Sequence, residues 1–126
     1  FWPGKMRRDF TYIDDIVEGI IRLLDLPPSI NSKWSGINPD PSTSSAPWSI
    51  FNIGNNKPTE LEYFISIIED NLGRKAIKNY LDIQAGDVSE TTASIEKLNK
   101  ITGFTPETKI EDGIPKFLSW YSSFHK

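Results

Sequence analysis

Residues 7–20 read RRDFTYIDDIVEGI, with two arginines, four acids and a strand-like FTYI inside fourteen positions. From Ile13 onward the pattern is helical: Ile13, Ile16, Val17, Ile20, Ile21 and Leu24 recur at the offsets of one helix face. Asp14 and Asp15 suit the positive end of a helix dipole, which predicts a helix from Asp14 to Leu26, ended by Pro27-Pro28. Neither Arg7 nor Arg8 is needed to start that helix. The pair is therefore either a solvated edge or a holder of something anionic.

The chain of 126 residues, 37% hydrophobic with seven Phe, four Trp and four Tyr, is the size of a single core, so one domain over 1–126 is expected. A net charge of −3 and a pI near 5.1 provide no global field for nucleic acid or an anionic membrane. Any anion site must then be local. No apolar run approaches a membrane span and nothing reads as a signal peptide, so a cytoplasmic protein is expected. The absence of cysteine removes disulfides and thiolate sites, and the single His125 sits beside the last residue, a poor place for metal or triad chemistry. The apolar opening FWPGKM, without a methionine first, looks like the start of a piece of something longer.

Working outward, residues 27–47 are rich in Ser, Pro, Asn and Asp and lack a period, predicting a long surface loop pinned by Trp34 and Trp48. Trp48 to Ile53 reads as a strand and Gly54-Asn55-Asn56 as a turn. Thr59 with Glu62 has capping-box spacing, ahead of a helix burying Leu61, Phe64, Ile65, Ile68 and Leu72 and stopped by Gly73. A strand over Ala76–Leu81, a loop to Thr91 and a helix over Ser94–Thr102 closed by Gly103 follow. Thr108 with Glu111 has the same box spacing, ahead of a last helix burying Ile110, Ile114, Phe117, Leu118, Tyr121 and Phe124, kinked or delayed by Pro115. The expected class is α/β: a small mixed sheet with about four helices.

The eight glycines are scattered and form no G-x-G-x-x-G or P-loop. Tyr12, Tyr63, Tyr80 and Tyr121 each lack a lysine four residues on, and no nucleophile context is present, so no catalytic residue or metal ligand is expected. Two segments remain. Arg8 adjoins residues expected to be partly buried, where a bidentate phosphate contact gains strength, against the plainer reading of an ion pair with Asp9 or Asp14. In QAGDVSET, residues 84–91, Gly86 permits close backbone approach and Asp87 can accept from vicinal hydroxyls, against the plainer reading of a turn.

Arg8 through Val17, Phe51 through Asn55, Gly86-Asp87-Val88 with Thr91, Gly103-Phe104 with Pro106, and Gly113-Ile114 with Trp120-Tyr121 follow one another in a recognisable order. Together they resemble the C-terminal portion of an extended short-chain dehydrogenase, the family of nucleotide-sugar epimerases and dehydratases, nearest its UDP-glucuronate 4-epimerase branch. The resemblance implies a UDP-sugar-binding lobe whose NAD is held by an N-terminal domain carrying the tyrosine base, its lysine and the glycine-rich loop. It places Arg8 at the diphosphate, Phe1 near the uracil ring, Asp87 at the ribose hydroxyls and Thr91 near the sugar. Gln84 stands where galactose-type epimerases carry a second phosphate-binding arginine. The resemblance also implies a homodimer for the complete protein, and a lone lobe would self-associate through exposed apolar surface. The alternatives are a 4,6-dehydratase, a decarboxylase or an N-acetylhexosamine epimerase, and, from another class, a stand-alone binding module.

Overall fold

Helix formation follows the apolar periods, but the sheet is smaller than the sequence suggests. The computed structural model describes residues 5–125, so Phe1 lies outside the described residues. The order is β1 (Arg7–Arg8), α1 (Ile13–Leu24), β2 (Thr59–Glu60), α2 (Leu61–Leu72), α3 (Glu96–Thr102) and α4 (Ile110–Phe124). Strands β1 and β2 pair antiparallel, Arg7 opposite Glu60 and Arg8 opposite Thr59, while a parallel bridge joins Arg7 to Glu90. The lobe is thus a small α/β mixture, as expected: a two-stranded antiparallel sheet with one parallel bridge at its edge, and four helices.

The strands predicted over Trp48–Ile53 and Ala76–Leu81 do not form. A strand is completed by a neighbour's backbone, and the first segment has only an isolated bridge between Thr43 and Ser49. Side chains hold the second instead: the Ala76 N–H donates to Glu69, while Lys78 and Tyr80 donate to Glu62.

Neither capping box forms. The residue before α2 is Glu60 and that before α4 is Lys109, and neither makes a side-chain cap bond. Thr59 is drawn into the ribbon opposite Arg8, and Glu62 is taken by Lys78 and Tyr80. Thr108 bonds Asp15, and Glu111 accepts from the Tyr63 hydroxyl. The glycine stops do hold: Gly73 and Gly103 adopt left-handed φ of 63° and 67°, which a residue with a Cβ takes reluctantly. Pro115 lies inside α4, which nevertheless starts five positions earlier at Ile110.

One core forms where α2 crosses α4, from Ile67, Ile114 and Leu118 with Phe64, Ile68 and Ile110 packed against it. Phe10 stacks on Phe64 at 4.0 Å between centroids, tying the approach to α1 into this core. A second packing centre lies where α3 meets α1, with Leu98 fully buried. Truncating Leu98 to Ala would cost about 2–5 kcal/mol.

The buried faces differ from the expected ones. Leu72 is exposed where Ile67 is buried, and Phe117, Tyr121 and Phe124 are exposed on α4. On α1, whose apolar face the sequence left without an assigned partner, the stripe faces outward: Ile13 is 61% exposed and Leu24 72%, with Val17, Ile20 and Ile21 also open. Its packed side carries Gly19, where an added Cβ would meet Ile53 at 3.3 Å. The 27–47 loop is organised by Asp40, which accepts from Ser42 and Thr43, and by the Trp34 indole donating to the Asp40 carbonyl. Trp48, 45% exposed, lines a shallow depression with Trp34, Pro39 and Pro41 of that loop.

Candidate functional site

The candidate site is built on β1. Its backbone is paired on one side with β2 and on the other with residues 89–91, through Arg7 N–H to the Ser89 carbonyl (2.9 Å) and Thr91 N–H to the Arg7 carbonyl (3.2 Å). Gly86, with φ of 90°, allows the turn in which Asp87 N–H donates to the Gln84 carbonyl at 3.0 Å. That turn brings Asp87 back over β1.

Arg8 Nη2 donates to Asp87 Oδ1 at 3.0 Å, while Nη1 donates to the carbonyls of Arg7 (3.0 Å) and Ser89 (3.4 Å). The partner of Arg8 is therefore neither Asp9 nor Asp14. Its side chain is 26% exposed, so the guanidinium keeps a solvent-facing edge while the protein fixes its plane. Of the residues singled out in the sequence, Arg8 meets Asp87 and Thr91 bonds the neighbouring Arg7, while Gln84 is joined to them only through its carbonyl in the turn to Asp87. The Thr91 hydroxyl accepts from the Asp9 N–H at 3.4 Å, a backbone contact not anticipated for a residue expected near the sugar.

Asp9, considered in the sequence only as an ion-pair partner for Arg8, is a junction. Its carboxylate accepts from the N–H groups of Asn56 (3.0 Å), Lys57 (3.4 Å) and Ala93 (3.0 Å). Asp15 does more than face the helix dipole: it accepts both the N–H and the hydroxyl of Thr108, each at 2.9 Å. The only sequence signal for either role was an acid next to a partly buried aromatic run.

A separate charged cluster fastens residues 75–80 to α2. Lys78 donates to Glu62 at 2.6 Å and Tyr80 at 2.7 Å, while Lys75 donates to Glu69 at 2.8 Å. The Lys78 hydrogen bond, then that of Tyr80, holds the Glu62 carboxyl below its usual range. The Lys75 hydrogen bond, then the Ala76 N–H, does the same for Glu69. Lys75, Lys78 and Tyr80 are correspondingly pushed up by the carboxylates they donate to.

An apolar cleft of about 290 Å³ lies on another face, lined by Phe10, Tyr12, Phe64, Ile110, Gly113 and Phe117 among others. It continues into a groove between Tyr12, Ile13, Phe117 and Trp120. The exposed stripe of α1 begins at Ile13, on the rim of that groove.

No family model matches the chain. It is 52% identical over 123 residues to the Staphylococcus aureus protein CapI, covering 98% of this chain and 37% of that protein. It is 41% identical over 130 residues to a probable UDP-glucuronate 4-epimerase of Rhizobium meliloti, covering 100% of this chain and 37% of the relative. The crystal structure of a Bacillus cereus UDP-glucuronic acid 4-epimerase, in complex with UDP-glucuronic acid and NAD, superposes with a TM-score of 0.72 at 26% identity, over 96% of this chain and 33% of that one. The chain is similar to the C-terminal part of nucleotide-sugar epimerases of the extended short-chain dehydrogenase type. It spans a little over a third of the length of the curated relatives named here.

Gly19 and Gly113 lie within helices, Gly73 and Gly103 end them, and Gly54 packs against Ala93 and Asp9. None of these glycines opens a phosphate-binding turn between a strand and a helix. Nor is any helix among the described residues long and apolar enough to cross a membrane.

Proposed function

We propose that the chain is the UDP-sugar-binding lobe of an NAD-dependent 4-epimerase that converts UDP-glucuronate to UDP-galacturonate in the cytoplasm, for capsule or lipopolysaccharide synthesis. The observation that carries this reading is the convergence of Arg8 and Asp87 at 3.0 Å on one open edge. A planar guanidinium suits a diphosphate, and a carboxylate suits the two hydroxyls of a ribose. Arg8 takes the diphosphate, Asp87 the ribose, and Gln84 and Thr91 flank them. Phe1 is assigned to the uracil on resemblance alone.

Hydride transfer and the tyrosine base belong to a dinucleotide-binding part outside this chain, which has no Tyr-x-x-x-Lys pair and no glycine-rich loop. By itself the lobe is inactive and holds UDP weakly. The outward apolar stripe of α1 favours a lobe that packs on another surface over a polar stand-alone module. Without that surface the chain self-associates, and the complete protein forms a homodimer.

The test is to incubate the full-length protein with UDP-glucuronate and NAD and to separate the products by chromatography. UDP-galacturonate is expected. Turnover of a different nucleotide sugar instead would assign the lobe to a dehydratase, a decarboxylase or another epimerase, and no binding of any UDP-sugar would reject the reading.

A further inference from the structure

Arg7, the neighbour of the proposed phosphate contact, has no ligand role in the reading above, yet it is the most connected residue of the ribbon. Its main chain bonds residues 89–91 on one side and is paired with Glu60 on the other. Its guanidinium spans both seams, donating from Nη1 to Glu90 Oε2 at 2.8 Å and from Nη2 to the Pro58 carbonyl at 2.9 Å. Glu90 lies three residues beyond Asp87, on the segment that turns back over β1. Arg8 depends on the same seam, because its Nη1 is aimed by the Arg7 and Ser89 carbonyls.

We propose that Arg7 and Glu90 are positioning residues for nucleotide binding: their ion pair clamps the 86–91 segment to β1 and so sets where Asp87 stands relative to Arg8. The inference rests on the UDP-sugar reading and adds to it a pair that touches no ligand. Both side chains are nearly half exposed, 47% and 43%, so the pair contributes little to global stability. Its effect is geometric. Releasing Glu90 leaves the backbone bonds of Ser89 and Thr91 to Arg7 in place but removes the side-chain tie between them. That loosens the seat of a segment turned at Gly86, and a carboxylate displaced by about 1 Å no longer meets two hydroxyls together.

The experiment uses the full-length protein, with UDP as the probe in calorimetric titration and UDP-glucuronate in steady-state kinetics. Arg7→Gln and Glu90→Gln are each expected to weaken UDP binding roughly three- to tenfold and to raise KM by a similar factor while kcat is retained. The exchanged double variant Arg7→Glu/Glu90→Arg is expected to recover most of the loss. If Arg7→Gln does not fold, Glu90→Gln carries the test alone, because it keeps the side-chain shape and the Pro58 contact. Unchanged UDP affinity in the single variants, with Arg8→Ala still weakening it, would overturn the clamp and leave the proposed function standing. Loss of kcat without recovery in the exchanged variant would show a general structural role and overturn it too. Equal UDP binding by wild type and Arg8→Ala would bring down the reading and the clamp together.

Discussion

Arg8 and Asp87, 79 positions apart in the chain, meet at 3.0 Å through one guanidinium nitrogen and one carboxylate oxygen. Two groups proposed to hold different parts of one ligand thus also pair with each other. In the full-length protein Arg8→Ala is expected to raise KM for the UDP-sugar about 10- to 100-fold, the range for losing a charged hydrogen bond, with the fold intact. An unchanged KM, measured beside an unchanged circular dichroism spectrum, would remove Arg8 from the site.

Asp87→Asn separates the two roles. The amide no longer pairs electrostatically with Arg8, so inorganic pyrophosphate should inhibit the variant more strongly than the wild type. UDP should bind less well, because the charged acceptor for the ribose hydroxyls is gone. Opposite shifts for the two inhibitors are the expected signature; parallel shifts would mean that Asp87 only holds the loop.

Gly54 sits where no side chain fits: an added Cβ would lie 2.5 Å from the Ala93 Cβ and 2.8 Å from Asp9 Oδ2. Gly54→Ala is expected to destabilise the protein by about 1–3 kcal/mol through overpacking, and to loosen the Asp9 junction that ties Asn56 to Ala93. A lowered urea midpoint with an unchanged slope checks this, and wild-type stability would exclude it.

Asp15 and Thr108 offer a second stability test, because the carboxylate accepts two hydrogen bonds from one residue at the entry to α4. Thr108→Val keeps the shape and removes one donor, for an expected loss of about 1 kcal/mol. Asp15→Ala removes the acceptor for both and should cost more. Equal midpoints for the two variants would contradict the double contact.

The Glu62, Glu69, Lys75, Lys78 and Tyr80 cluster has a pH signature at both ends. The carboxyls of Glu62 and Glu69 are held below their ordinary value of 4.5, so their contribution is present above that value and is lost as pH falls through the lowered one. The lysines are raised above 10.5 and Tyr80 above 10.0, so their contribution is present below those values and is lost as pH rises through the raised ones. Amide protection factors over residues 75–80, the intrinsic exchange rate at each pH divided by the observed rate, should be highest between the two limits. Glu69→Gln, at a position only 8% exposed, should flatten the acid limb; an unaltered limb would show that Glu69 does not hold the segment.

The sequence by itself determined the four helices, their order and two of their ends. Apolar spacing and a glycine after the last turn act within a few residues, and Gly73 and Gly103 stop their helices as expected. Its ordered motifs also carried the family resemblance. Tertiary structure alone decided what the polar residues are for. Thr59 and Thr108 had capping spacing, but a paired strand claims the first and the Asp15 carboxylate claims the second. The apolar period of α1 predicted one apolar face without saying what covers it, and the chain places Gly19 against Ile53 and turns Ile13 and Leu24 outward. Periodicity shows that a helix has an apolar face, whereas the partner that covers it depends on the path of distant segments. The same holds for Arg8, whose charge is plain in the sequence and whose partner at Asp87 exists only because the Gly86 turn brings residues 87–91 back across β1.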